Sequence, residues 1–313
     1  MPKDISLRQA FGNALVQVGK ERKDFVVLDA DVAGGTCTNI FRDRYPGRFI
    51  QCGIAEQNMM GVAAGLSTMG IIPIVTAYSV FTSMRAIEQA RNSIAYPNLN
   101  VKIVASHLGL DVGPDGPTHQ SIEDISIYRA IPNFIILAPA DPNEMEDAFR
   151  KLLSHKGPAY MRTGRSPVEH IFKMKKRFVI GKWDVLQDGS DVTIFALQKM
   201  LSPALKAAAL LKKKNISAAV INVSTLKPAD KDLILKMAKK TGAFVTAEDH
   251  NIRGGIGSII AEISAENCPV PIEYVGINDV FGESGNPDDL MKKYGLTAEN
   301  IIKKAERAIK RKR

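Results

Sequence analysis

With 313 residues, 45% hydrophobic and 24% charged, the chain has enough apolar material for two packed cores and is neither disordered nor collagen-like. Gly, Pro or charge interrupts every apolar stretch short of the roughly 18–20 residues that cross a membrane. The start, Met1-Pro-Lys-Asp4, leads into an amphipathic pattern rather than a signal core, so a cytoplasmic protein with no membrane partner is expected. The net charge of +9 invites a nucleic-acid reading. Residues 303–313, however, hold seven Lys/Arg against Glu306 alone, which favours a solvated basic helix end and no nucleic-acid partner.

In chain order, residues 7–20 have helical periodicity and 25–29 read as a strand. Further short apolar runs at 71–75, 101–105 and 134–137 alternate with helical patterns at 54–69, 83–94, 121–130 and 143–153. A charged stretch, with Lys173-Met-Lys-Lys-Arg177 its most polar part, then interrupts the pattern. A second series follows: strand 192–196, helix 202–213, strand 218–223, helix 230–240 and strand 243–246. A helix opened by Gly254-Gly-Ile-Gly257 and a strand at 272–275 complete it. The alternation predicts an α/β chain of two three-layer α/β/α domains with mostly parallel sheets, at 1–165 and 183–313 with a linker at 166–182. Cys37, Cys52 and Cys268 are odd in number and lack C-x-x-C spacing, so free thiols are expected rather than disulfides or structural zinc.

The densest polar constellation is His107-Leu-Gly-Leu-Asp-Val-Gly-Pro-Asp-Gly-Pro-Thr-His-Gln120, directly after the strand 101–105. Open α/β sheets bind ligands at such carboxyl ends. His107 and His119 bring imidazoles that titrate near neutrality, and Asp111 and Asp115 bring carboxylates able to fix hydroxyls or orient a histidine. No metal-ligand spacing is present, and no metal site on this chain is expected. A second feature is Gln51-Cys-Gly-Ile-Ala-Glu-Gln-Asn-Met59, where Glu56, taken alone, is a first-turn carboxylate suited to the positive end of a helix.

The order Leu28-Asp-Ala-Asp31, Gly53-Ile-Ala-Glu-Gln-Asn58, Gly113-Pro-Asp-Gly-Pro-Thr-His-Gln120 and Arg162 resembles the carboxyl-terminal half of transketolase, comprising the pyrimidine-binding and C-terminal domains. The resemblance covers essentially the whole chain, and Glu248-Asp-His-Asn-Ile-Arg-Gly-Gly-Ile-Gly257 fits the second domain. It implies that Glu56 is the catalytic glutamate that hydrogen-bonds the aminopyrimidine of thiamine diphosphate, with Asp31, Phe81 and Met84 near the cofactor. It implies that His107, Asp115 and His119, the last also catalytic, contact the sugar substrate. It further implies that Arg8 and Arg162 bind its phosphate through their planar donor forks.

Two positions depart from the family. Its pocket pattern Phe-x-x-Phe-x-x-Tyr has Phe81, Met84 and Ile87 at like spacing, and a phosphate-binding serine falls at Gly35. The Gly-Asp-Gly motif that holds Mg²⁺ on the cofactor's diphosphate has no counterpart. Asp115-Gly116 lies in the sugar loop, and Asp188-Gly189 follows Gln187. The resemblance therefore implies the C-terminal subunit of a split transketolase that moves a two-carbon ketol unit between sugar phosphates. Its partner would be an N-terminal subunit supplying the Mg²⁺ ligands, in an α2β2 heterotetramer. The alternatives are a subunit of another thiamine enzyme, similar to 1-deoxyxylulose-5-phosphate synthase or to a 2-oxo acid dehydrogenase β chain, or a non-catalytic basic binding protein.

Overall fold

The short apolar runs form inner strands of two mostly parallel sheets in a computed structural model that describes residues 4–174 and 177–312. In chain order the first half contributes β1 (Ile5–Ser6), β2 (Phe25–Asp29), β3 (Phe49–Gln51), β4 (Ile72–Tyr78), β5 (Lys102–Ser106), β6 (Ile135–Leu137), β7 (Ala159–Thr163) and β8 (Pro167–Val168). The second half contributes β9 (Asp184–Gln187), β10 (Val192–Ala196), β11 (Ala218–Asn222), β12 (Thr225–Lys227), β13 (Phe244–Asn251) and β14 (Ile272–Ile277). Seven strands make the larger sheet, ordered β12-β6-β7-β5-β4-β2-β3, and five make the smaller, β14-β13-β10-β11-β9. Within these two sheets neighbours are parallel except at the edges, where β12 lies antiparallel on β6 and β9 on β11. Parallel strands need crossover helices that cover both faces, and β5, β7, β10 and β11 are accordingly buried at every residue.

Two strands run beyond their apolar segments. β4 continues to Tyr78, where it pairs with Ser106 of β5, and β13 to Asn251, which pairs with Ile277 of β14 past an irregularity after Ala247. The polar run Glu248-Asp-His250 in that irregular stretch is buried, and a hydropathy pattern gives no strand signal for it. The segment expected as one helix over 83–94 contains wide π-type turns at Phe81–Arg85 and Ala90–Ala95 on either side of Ile87–Gln89. Such turns shift which residues share a face. Among the described residues no helix is long and apolar enough to cross a membrane.

The 166–182 segment is partly structured: β8 pairs antiparallel with β1, and Phe178 is buried in the core of the first half. Lys175 and Lys176 of its charged stretch lie outside the described residues. The two halves are also stitched together by β12, which leaves the second half to join the first sheet. Trp183 Nε1 donates to the Thr225 carbonyl (2.6 Å), and Lys227 Nζ to those of Arg129 (3.0 Å) and Ile131 (2.6 Å). One continuous apolar core joins Tyr128 and Phe134 to Trp183, Phe195, Phe244 and Ile256. The basic end is exposed at Lys303, Arg307, Lys310 and Arg311, and part of it is also ion-paired. Lys304, Arg307 and Arg311, spaced to share one helix face, all reach Glu273 of β14 at 2.7–3.2 Å.

At the amino end of β5, remote from the loops, Lys102 is fully buried and donates to the carbonyls of His155 (2.7 Å) and Gly157 (2.6 Å). Burial, with a smaller push from Arg22, lowers its pKa from 10.5 to about 7. The unfolded chain therefore binds the extra proton between those values, and stability contributed here rises with pH across that window. Relative to Lys102→Met, wild type should gain up to about 1.4 kcal/mol per pH unit from pH 7 to 10.5 in urea unfolding. A difference independent of pH would contradict this.

Candidate functional site

The carboxyl ends of β5, β4 and β2 lie side by side in the larger sheet, with β7 on the other side of β5, and the candidate residues cluster there. At the end of β2, Asp29 is buried; it accepts from Val32 N (2.8 Å) and Thr38 Oγ1 (3.3 Å), while burial pushes its pKa up. Asp31 adopts a left-handed conformation (φ +64°) and keeps its carboxylate exposed, held by Gln51, whose Oε1 accepts from Asp31 N (3.0 Å). Arg8, in the first turn of the helix Leu7–Glu21, donates from Nη1 to the Gly35 carbonyl (2.6 Å). A Cβ at Gly35 would run into the Tyr78 hydroxyl and ring. Tyr78 thus occupies the space that a serine side chain at position 35 would need.

Glu56 opens the helix Glu56–Thr68 and is 2% exposed. Its Oε2 accepts from Arg85 Nη1 at 2.9 Å, and Oε1 takes no hydrogen bond from the described residues. Arg85 lies over the Phe81 ring (4.6 Å to the centroid). Phe81 in turn stacks near Tyr78 (6.0 Å) and meets His119 edge-on (5.3 Å). Phe81 and Arg85 are four apart and stay neighbours, while the wide turn Phe81–Arg85 carries Met84 off their face, leaving 43% of its surface exposed. Met84 is therefore not part of the cluster that Phe81 joins. A half-buried ring beside a buried carboxylate with one unpaired oxygen fits an aromatic heterocycle that carries a hydrogen-bonding edge.

His107 follows β5 with φ +62° and is nearly buried. Its Nδ1 is 2.9 Å from Ser106 Oγ, and its ring lies 3.8 Å from that of Tyr78. Burial first, then the charges of Arg8 and Arg165, lower its pKa to about 3, so the imidazole is neutral at physiological pH and acts as a hydrogen-bonding group rather than a cation. His119 is half-buried, 6.2 Å from Tyr78, with Nδ1 3.0 Å from Thr118 Oγ1. Asp115 projects into solvent at the end of the turn Gly109–Asp115, and Gly113 and Gly116 take positive φ to close that turn. The loop thus brings His107 and His119 around Tyr78 and holds Asp115 at its rim.

Arg162 does not join them. Tyr160 and Arg162 alternate onto one face of β7, where Arg162 is 1% exposed and bonds both oxygens of Asp124 (Nε 2.8 Å, Nη2 3.2 Å). Its Nη1 reaches Gln198 Oε1 at 3.3 Å, so the fork is committed inside the protein. Around it burial raises Glu248 to about 7 and Asp249 to about 6 and lowers His250 to about 4. Glu248 accepts from Ile256 N (2.7 Å) and Gly257 N (3.0 Å), and a Cβ at Gly255 would strike that carboxylate, while one at Gly254 would strike Ser126 and one at Gly257 the Tyr274 ring; these three contacts are the physical reason for the Gly-Gly-x-Gly run. The arginine beyond the strand end, Arg165, joins Arg8 in acting by its charge on His107 and Tyr78, and it donates to the Val112 carbonyl.

Sequence reasoning missed Tyr78, Arg85 and Arg165. Only Arg165 left a signal, a second arginine three residues past Arg162 where the strand gives way to Gly164. Among the described residues no group of three or more His, Cys, Asp or Glu is placed to hold a metal ion.

Residues 3–169 match the family description "Transketolase, pyrimidine binding domain", and residues 181–301 match "Transketolase, C-terminal domain". A "Putative transketolase C-terminal section" of Methanocaldococcus jannaschii is 45% identical over 309 residues, covering 97% of this chain and 96% of its own. A "6-deoxy-6-sulfo-D-fructose transketolase subunit" of Clostridium sp. (strain MSTE9) is 43% identical over 306 residues, covering 98% and 95%. Among solved structures, one described as "Split gene transketolase, inactive beta4 tetramer" is 45% identical, with TM-score 0.92 and coverage of 99% of this chain and 100% of that one.

The buried Arg162–Asp124 pair yields a prediction about stability. Arg162→Ala leaves the Asp124 carboxylate uncompensated, a change that typically costs about 3–5 kcal/mol. Chemical denaturation should register a loss of that size, and an unchanged unfolding midpoint would show that the pair is not structural.

Proposed function

The chain belongs to the transketolase family, and we propose that it is the C-terminal subunit of a split enzyme transferring a two-carbon ketol unit between sugar phosphates. The observation that carries this is one unbroken run of contacts from Glu56 through Arg85, Phe81, His119 and Tyr78 to His107. It joins a buried carboxylate suited to a heterocycle with a loop suited to a polyhydroxylated substrate. Thiamine diphosphate, when bound, supplies the electron sink for cleaving the carbon–carbon bond beside a ketone. Glu56 would hold a proton at the edge of the aminopyrimidine, Arg85 would orient Glu56, and Phe81 would pack on the ring face. Neutral His107 and half-buried His119 would bind substrate hydroxyls and hold them away from bulk water, with Asp115 closing the rim. Arg8 and Arg165 would take the phosphate, whose charge they also meet at long range.

Mg²⁺ and the diphosphate would be held by an N-terminal partner subunit, two copies of each chain making the simplest closed assembly. Ile54, Met69 and Tyr96 support such an interface: they flank the elements around Glu56 and are 75–87% exposed, an unusual display for large apolar side chains. The neighbour described as an inactive β4 tetramer supports the reading that a chain of this kind folds and self-associates without its partner.

Glu56→Gln keeps the side chain's shape but cannot hold the proton in the same way. With the partner, Mg²⁺ and thiamine diphosphate, it should lose about 10²–10⁴-fold in ketol transfer while its circular dichroism is unchanged. Exchange of the cofactor's C2 proton at the wild-type rate in that variant would overturn the assignment. Arg8→Ala and Arg165→Ala should each raise KM for phosphorylated sugars by about 10–100-fold, the loss of a charge-assisted hydrogen bond, and spare unphosphorylated analogues. Activity on sulfonated sugars with none on phosphorylated ones would instead match the function named for the Clostridium relative.

A further inference from the structure

The loop bearing His107, Asp115 and His119 belongs to the first half of the chain, yet much of what fixes its backbone comes from the second. The carboxylate of Asp249, on β13, accepts from Leu110 N on one oxygen (2.9 Å) and from Asp111 N on the other (3.2 Å). Gly109, at φ +51°, packs so tightly on that carboxylate that a Cβ would run into it. Other ties surround this grip and hold side chains or neighbouring segments rather than the Leu110 and Asp111 amides. Asn251 N donates to the Ile122 carbonyl (2.9 Å), and Gln120 Nε2 to the Glu283 carbonyl (2.9 Å). Lys199 Nζ meets Asp111 Oδ1 at 2.6 Å, and Asp111 Oδ2 accepts from Arg165 N (3.0 Å) and Ser166 N (2.8 Å). Asp249 itself is 8% exposed and bonds none of the candidate substrate-binding groups.

We infer that Asp249 is a positioning residue: its two-point grip on the Leu110 and Asp111 amides sets the backbone from which His107 and Asp115 meet the sugar. The inference rests on the proposed sugar-binding role of that loop. Of the common side chains only a carboxylate short enough to fit against Gly109 offers two parallel acceptors here. An asparagine has one acceptor oxygen and turns an amino group on the second N–H, leaving a buried donor unpaired. A loop free to shift by an ångström loses substrate orientation even though no contacting side chain has changed. The grip also gives the second half of the chain a role in catalysis: it is a buttress for a loop it does not contain.

The test compares wild type, Asp249→Asn and Gly109→Ala, the last approaching the same contact from the loop side. In the full chain alone, hydrogen exchange of a peptide spanning residues 107–120 should speed by about tenfold or more in both variants, with exchange elsewhere unchanged. In the assembly with partner, Mg²⁺ and thiamine diphosphate, KM for the sugar phosphate should rise by about tenfold or more. Exchange of the cofactor's C2 proton, which depends on Glu56 and not on the loop, should stay within about twofold of wild type. Loop exchange at the wild-type rate in both variants overturns the grip. Faster loop exchange with unchanged KM overturns the positioning role. A parallel loss of C2-proton exchange shows general damage and counts against it. Should the wild-type assembly transfer no ketol unit, the function proposed above fails, while the hydrogen-exchange comparison still decides the grip.

Discussion

The ion pair between Arg162 and Asp124 is the constraint around which the site is organised. Both side chains are withdrawn from water, so the pair persists only because each donor and acceptor is used: Arg162 spends its fork on Asp124 and Gln198, and Asp124 also accepts from Tyr160 (2.8 Å). The Tyr160 hydroxyl is 2.7 Å from Ser79 Oγ, which donates to Ser121 Oγ at 3.0 Å. Ser79 precedes the turn that carries Phe81 and Arg85, and Ser121 ends the loop that carries His107 and His119. One buried network therefore fixes both walls of the candidate site, and Gln198 ties it to the second half of the chain. A satisfied polar network of this sort specifies one arrangement where apolar packing alone would tolerate several.

That network also explains what was legible in the sequence. The loop 107–120 was readable because its glycines, prolines, histidines and acids sit together directly after an apolar strand run. Glu56 was readable as a first-turn carboxylate, and its role only through the family resemblance. Arg162 matched the family order but sits on β7, whose side chain face points into the protein; a strand of five residues with a charge in it does not show its direction. The Phe81 region was opaque for a related reason, since π-type turns alter the spacing on which helical reasoning depends. Asp249 lies in a buried acidic run that periodicity cannot read as strand, and its partners are backbone amides 138 and 139 positions away.

The parts that remain at the carboxyl edge would, on the function proposed above, form half of a cofactor site. There a buried carboxylate, an aromatic face, two histidines and two arginines would address the ring and the substrate. Among the described residues no group of three or more His, Cys, Asp or Glu is placed for a divalent cation, which takes several oxygens in near-octahedral arrangement when it neutralises a diphosphate. Exposed Ile54, two residues before Glu56, and Met69, at the far end of the helix that Glu56 opens, are apolar surface on which the proposed complementary half would sit.

The account stands or falls on whether that half is needed. Calorimetric titration of thiamine diphosphate with Mg²⁺ into this chain, into an N-terminal transketolase subunit, and into their mixture reads it directly. The account predicts saturable binding accompanied by ketol transfer only in the mixture. Stoichiometric, tight binding with turnover by this chain alone would contradict it.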